Sequence, residues 1–297
     1  MVYAAHFAGA VVACYLTAQV LGRSTWTFRS PGVAIVCWQA VGLALGLSAI
    51  GLPLAVALTP YEASVGSALG RLVGGEQPAS FGLINLALIG MSVGIAAILI
   101  GTTVVCGLRA IQAQRRHRDL LNLVARNDPA VPGALVLDHP SAAAYCLPGV
   151  RPRVVVSAGT LSLLDRPQLA AVLSHERAHA DERHDLVLLP FTALCRALPW
   201  VRWVAAARER VALLVEMRAD DKARRLHADG PLAAALLRFA TAPSRVTPAG
   251  ALGIADSHLD ARVRRLMTTG RPPRVRGALA LTVTLTLVAV PISLFFA

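Results

Sequence analysis

The segment His175-Glu176-Arg177-Ala178-His179 spells H-E-x-x-H. On a helix, positions i and i+4 share a face, so His175 and His179 can hold one metal ion between them. Glu176 stands one step around the helix, within reach of a water on that metal. Two imidazole ligands and a general base make up most of a zinc hydrolase site. Such a site takes a third protein ligand and leaves one position to water. The best candidate is Glu216 in Glu216-Met-Arg-Ala-Asp220. On a helix Glu216 and Asp220 face the same way. Glu216 would bind the metal, and Asp220 would accept the ring N–H of a ligand histidine and fix its tautomer. The competing reading is an exposed carboxylate pair matched to Arg218 or Arg224, and the H-E-x-x-H upstream weighs against it. His184 and Asp181 are weaker candidates, because Glu182 and Asp185 make their stretch read as a solvated helix end. His117, His139 and His227 read as surface residues. A set of two nitrogens and one oxygen points to Zn2+ among divalent metals.

These residues need two helices to carry them. Pro167 suits a first helical turn with Asp165 as N-cap, and the helix then runs from Gln168 to Asp181 through the H-E-x-x-H. A second helix is predicted from Arg202 to His227, with further ones near Pro231 to Ala240 and Asp256 to Met267. Ahead of them, Ala134 to Asp138 and Arg153 to Ser157 are short β-rich runs bounded by Pro and Gly, and Ala143 to Leu147 is a third strand candidate. Arg109 to Arg126 reads as helix. This part of the chain is α+β.

The composition sets the surroundings. Of 297 residues, 55% are apolar and only 15% charged, against about 25% charged in a soluble chain. The charges are partitioned. Residues 1–108 hold three Arg and two Glu, residues 277–297 hold none, and residues 109–276 hold 26 basic and 15 acidic residues. Four apolar stretches, 2–22, 32–58, 81–108 and 277–297, reach the roughly 20 residues that a membrane-crossing helix needs. The first lacks a basic leader and reads poorly as a cleaved signal peptide. The expected architecture is therefore membrane α-helical plus α+β: three transmembrane helices in 1–108, a domain in 109–276, and a fourth transmembrane helix in 277–297. Arg23 and Arg29, Arg109 to Arg118, and Arg271 to Arg276 fall on one side if the N-terminus is outside. Domain 109–276 is then cytoplasmic, and both termini lie outside. Five cysteines, an odd number without C-x-x-C, give no disulfide framework. The net charge of +12 reads better as a basic domain held against anionic lipid than as a nucleic-acid surface.

One stretch constrains the topology. Leu186 to Ala206 is apolar enough to cross once, but a single crossing would put Glu216 on the other side of the membrane from His175 and His179. Two crossings need about 40 apolar residues. The stretch is therefore either buried in the domain or set at the membrane surface, where Trp200 and Trp203 would fit. Charged residues flank the H-E-x-x-H, which places it in water rather than inside the bilayer.

Together these residues resemble the BlaR/MecR-type antirepressor metallopeptidases, bacterial membrane zinc proteases. Arg153-Val-Val-Val-Ser157 with Ala158-Gly-Thr-Leu161 resembles the strand and turn before that family's zinc helix. Leu169 to His179 is similar to the zinc helix, Glu216 to Asp221 to the third-ligand helix, and Asp260-Ala-Arg-Val-Arg-Arg-Leu266 to a segment leading into the last span. The resemblance implies a zincin-like domain inserted between helices 3 and 4 and a bacterial plasma-membrane location. It also implies a protein or peptide substrate, such as a transcriptional repressor. The related HtpX/CAAX-protease type shares both motifs, and by that resemblance His258 would stabilise an oxyanion. Sensor members carry an extracellular penicillin-binding domain after the last span. This chain reaches Ala297 without one, so any signal is expected through the spans, the outer loops or a partner.

The expected chemistry is metal-assisted peptide hydrolysis, with Zn2+ on His175, His179 and Glu216, and Glu176 as general base. His258 or Tyr145 would hold the oxyanion, and the substrate would lie extended along strand 143–147. The rivals are a quality-control protease of the HtpX kind and a non-catalytic signalling scaffold. An intact Glu176 weighs against the scaffold. The lipid bilayer is an expected partner and nucleic acid is not, while homo-oligomerisation is left open.

Overall fold

The computed structural model describes residues 2–129, 131–149, 152–242, 258–268 and 274–296. In chain order its elements are α1 (Val2–Arg23), α2 (Trp26–Arg29), α3 (Pro31–Ala57), a 3-10 turn (Thr59–Tyr61), α4 (Val65–Val73) and α5 (Leu83–Val124). Four short strands follow: β1 (Ala125–Asn127), β2 (Ala134–Leu137), β3 (Ala144–Leu147) and β4 (Arg153–Ser157). After them, the elements among the described residues are helices: α6 (Ala158–Leu163), α7 (Arg166–Asp181), α8 (His184–Ala197), α9 (Arg202–Arg224), α10 (Asp229–Thr241), α11 (Leu259–Met267) and α12 (Arg274–Phe296).

The chain divides into two compact units. The first contains Met1–Val104, Ala193–Val211 and Pro272–Ala297. Its long helices follow from uncharged sequence. α1, α3, α5 and α12 are each long and apolar enough to cross a membrane. With so few polar side chains, helix is the structure that satisfies their backbone groups internally. α3 packs on α1 and α12. At one end of this bundle Phe7, Leu58, Tyr61, Val65 and Ala68 form a buried cluster. Apolar side chains elsewhere on these helices, such as Val12, Ile98 and Val283, remain exposed. The short helix α4, which begins at a Ser64 cap, is not foreseen in the sequence.

The second unit contains Val105–Thr192 and Ala212–Arg271. Its sheet has the order β1-β2-β4-β3, with β2 and β4 parallel and the outer pairs antiparallel. The sequence predicts helix up to Arg126. The helix instead stops at Val124, and Ala125–Asn127 pair with Leu135–Leu137 as an added edge strand. Strand alternation gives the sheet two apolar faces. Val136, Val154 and Val156 pack with Leu173 of α7 on one face, while Tyr145, Leu147 and Val155 pack with Leu121 of α5 on the other. Ala171 and Val172 of α7 continue into a second cluster with Ala223, Leu232, Ala235 and Leu266 from α9, α10 and α11. Helix α7 is thus held between sheet and helices. α11 begins at Leu259, and the sequence-predicted start at Asp256 lies outside the described residues. The turn from β4 into α6 is tight: the Gly159 N–H donates to the His139 carbonyl at 3.0 Å, and a Cβ at Gly159 would collide with the Pro140 carbonyl.

Gly159→Ala forces that backbone apart. The substitution should destabilise the second unit by about 1–3 kcal/mol, in the range of overpacking, and lower the unfolding midpoint followed by circular dichroism in detergent. An unchanged midpoint would show that the turn is not as close as described.

Candidate metal centre

Helix α7 starts on a capping box. Asp165 Oδ1 accepts from the Gln168 N–H at 2.9 Å, and the Gln168 side chain accepts from the Asp165 N–H at 3.4 Å. This fixes where the first turn begins, and therefore which face presents His175 and His179 to α9. Both rings are buried, and so are Glu216 and Asp220 one turn apart on α9.

Three side chains converge. His175 Nε2 and His179 Nε2 are 3.1 Å apart, His175 Nε2 lies 3.3 Å from Glu216 Oε2, and His179 Nε2 lies 3.4 Å from Glu216 Oε1. The three residues form a group able to hold a metal ion. A tetrahedral zinc with bonds of about 2.0–2.1 Å places neighbouring ligand atoms about 3.3 Å apart. The ring–ring distance and the distance from each ring to its own Glu216 oxygen are near that value, so the three side chains suit such an ion. Glu176 is half-buried beside them.

Each ring is backed on its far nitrogen. His175 Nδ1 lies 3.0 Å from Asp220 Oδ1, an ion-pair distance with the ring N–H off the ideal line. His179 Nδ1 lies 2.9 Å from His184 Nδ1, and His184 Nε2 lies 3.4 Å from Glu182 Oε2. If Nε2 of each ring is to bind a cation, Nδ1 must carry the proton. His184 then accepts at Nδ1 and turns its own N–H to Glu182. The sequence reads His184 as part of a solvated end; the structure leaves it 1% exposed. His117 and His227 are also not simple surface groups: they bond to the Tyr145 hydroxyl and to Ser174 Oγ, each at 2.8 Å.

Ion pairs hold α9 in place. Arg262 of α11 forks onto Asp220 at 2.9 and 2.6 Å and reaches Glu216 Oε2 at 3.3 Å. Arg265 forks onto Asp221, with both bonds at 2.7 Å. From α7, Asp181 meets Lys222 at 3.1 Å, and Glu182, just past its end, meets Arg218 at 2.9 Å. The competing reading, which matched Arg218 to the site carboxylates, is therefore not what forms. Arg262 is the functional residue that sequence reasoning passes over. Its signal was present in the Asp260–Leu266 segment, but one arginine among several carries no mark of burial.

The charges shift one another. Burial alone would lower the His175 pKa, but the Asp220 and Glu216 carboxylates outweigh it and hold it up at about 9. Burial would raise Asp220, yet Arg262 and His175 hold it down at about 2. Glu216 is likewise held well below the carboxylate range, as His179, His175 and Arg262 overcome its burial. Burial raises Glu176, with both histidines acting in the opposite direction. Burial, then His179, pushes His184 down to about 4. A neutral His184 is the form that can accept from His179.

Two sequence-predicted oxyanion candidates separate. Tyr145 points to the α5 face of β3, bonded to His117, whereas its neighbour Cys146 feels the charge of Glu176. Strand alternation therefore turns Tyr145 away from the site. His258 is the N-cap residue of α11, one turn before Arg262, and makes no side-chain cap bond.

A family model described as Peptidase family M48 matches residues 110–262. No curated protein and no solved structure matches the chain.

In the metal-free protein His175, held up at about 9, is protonated at neutral pH, and a bound cation must displace that proton. Metal affinity should therefore rise about tenfold per pH unit from about pH 7 to 9 and level off above. Competition against a chelator reads this directly, and a flat profile would contradict the assignment. His184→Ala should weaken metal binding by about 10–100-fold while leaving circular dichroism unchanged. Unaltered affinity would reduce His184 to packing.

Proposed function

The chain belongs to Peptidase family M48, a family of metal-dependent peptidases that typically use zinc, and on that premise we propose a membrane-anchored zinc endopeptidase that cleaves a cytoplasmic protein in regulatory signalling. The observation that carries the reading is the convergence of His175, His179 and Glu216, with the two ring Nε2 atoms 3.1 Å apart and the two Glu216 oxygens 3.3 and 3.4 Å from one ring each.

His175, His179 and Glu216 would hold the ion. A divalent metal there supplies Lewis acidity, lowering the pKa of a water toward about 7 and polarising a carbonyl. The rest is done by the chain. Glu176, its affinity for a proton raised by burial, takes a proton from the attacking water and delivers it to the leaving amide nitrogen. Asp220 and His184 keep the two rings oriented. Arg262 keeps Glu216 and Asp220 ionised as they leave water. His258 is the proposed oxyanion donor.

The substrate needs a place to extend. Among the described residues β3 is an edge strand, paired only with β4, and it packs against α7. A peptide added along its open edge would gain main-chain hydrogen bonds and run beside the H-E-x-x-H helix.

Four apolar helices fit a membrane-anchored protein. We assign the peptidase domain to the cytoplasmic side, where Arg23, Arg29 and Arg109–Arg118 would also lie. A regulatory substrate such as a repressor follows from the resemblance to antirepressor metallopeptidases.

Glu176→Gln keeps shape and removes the base. It should retain zinc and lose proteolysis by about two orders of magnitude or more. Comparing protein fragments in cells carrying wild type or the variant identifies targets. Loss of fragments from one or a few cytoplasmic proteins supports the regulatory reading. Loss from many membrane proteins supports quality control instead. Identical fragment patterns with zinc retained would leave a scaffold.

A further inference from the structure

We propose that the turn between α8 and α9 is a membrane-dipping hairpin. Residues 193–211 enter part-way into the leaflet on whose side Arg23 and Arg29 lie, seat Trp200 among the acyl chains, and set Arg196 and Arg202 at the phosphates of anionic lipids.

The first observation is grouping. Ala193–Val211 belongs to the same compact unit as α1, α3, α12 and the part of α5 up to Val104. The second is register. The Trp203 ring lies edge-on to Tyr15 of α1 with centroids 6.0 Å apart. Arg210 donates to the Gly22 carbonyl at the end of α1 and stacks over Phe28 at 4.7 Å. Trp203 and Arg210 are seven positions apart on α9, and Tyr15 and Gly22 are seven apart on α1. The first turns of α9 therefore run alongside the last turns of α1 in the same direction.

That register sets a depth. Seven helical residues rise about 10 Å. Helix α1, with 22 residues, is about 33 Å long, close to the thickness of a bilayer core of about 30 Å. Gly22 marks its basic end, so Trp203 lies about 10 Å inward of that end. The turn of residues 198–201, which precedes α9, continues at least as far. α8 returns beside α9, with Cys195 Sγ 3.7 Å from the Val204 carbonyl.

The side chains suit that position. Val204, Ala207 and Val211 turn inward at helical spacing, whereas Trp200 at the tip is 74% exposed. An indole so placed has an apolar body for the acyl chains and an N–H for the ester layer. Arg196 and Arg202 flank the turn and are exposed. Their side chains are long enough to reach back to the phosphates, which makes a shallow dip affordable and a full crossing costly. A hairpin that enters and leaves by one face also keeps His175 and His179 on the same side as Glu216.

This inference needs the apolar helices in a bilayer; it does not need the chain to cleave anything. The full chain is reconstituted into phosphatidylcholine and phosphatidylglycerol vesicles with lipids brominated near the headgroup end or near the methyl end of the acyl chain. Trp200 is the one exposed tryptophan of the four. Wild type should be quenched most by the shallow bromines, and Trp200→Phe should lose most of that quenching while keeping its circular dichroism. Iodide in the water should add little. Ile98→Trp in the Trp200→Phe background is the control for the spans, since Ile98 is exposed on α5, and it should be quenched by deep bromines. Strong iodide quenching of Trp200 without bromolipid quenching would overturn the hairpin while the control holds. If the control also fails, the membrane assignment falls and takes the hairpin with it. A nitroxide on Trp200→Cys gives a second reading: oxygen accessibility above that of a water-soluble nickel chelate supports insertion, and the reverse overturns it.

Discussion

The whole centre depends on two carboxylates leaving water one turn apart on α9. Glu216 and Asp220 are 3% and 0% exposed. Charged oxygens in such a place are costly unless opposite charge and hydrogen bonds surround them. Arg262 supplies one positive charge to the pair. The rest of the compensation falls on the imidazoles, and the raised pKa of His175 is its signature: without a metal, a proton occupies the role that a cation would fill. A divalent ion held by His175, His179 and Glu216 would replace that proton with more charge. The site is built to hold positive charge, and geometry then selects which positive charge.

Helix α9 organises this arrangement because its charged faces are matched on both sides. Asp220 and Asp221 meet Arg262 and Arg265 of α11, while Arg218 and Lys222 meet Glu182 and Asp181 at the end of α7. Apart from the buried Asp220–Arg262 pair, these pairs are partly exposed and contribute little stability individually. Together they fix rotation and height, and an error of one residue would carry Glu216 off the face that His175 and His179 share. Burial of Ala171, Val172, Ala223 and Leu266 supplies the adhesion, and the ion pairs supply the alignment.

Much of this was legible because the chemistry is written at helical spacing. H-E-x-x-H and Glu216 with Asp220 declare their faces by i, i+4 periodicity, and Asp165 with Gln168 declares where α7 starts. Four uncharged runs declare long apolar helices. What stayed hidden depends on three-dimensional neighbours. Nothing local distinguishes Arg262 from Arg264 or Arg265, and His184 sits among charges that suggest water. Tyr145 carries a suitable hydroxyl, but a period of two turns it to the wrong face. The end of α5 was missed because Ala125–Asn127 becomes a strand only by pairing with β2. The apolar stretch around Trp200 has composition enough for several settings, and only its contacts with α1 separate them.

The central claim is that His175, His179 and Glu216 together bind one ion. X-ray absorption at the zinc edge of the purified full chain tests it most directly. The account predicts a four-coordinate site whose scattering shows two imidazole rings and oxygen ligands, and in Glu216→Ala one protein oxygen is replaced or the metal is lost. A spectrum without imidazole scattering, or one unchanged when Glu216 is removed, would contradict it.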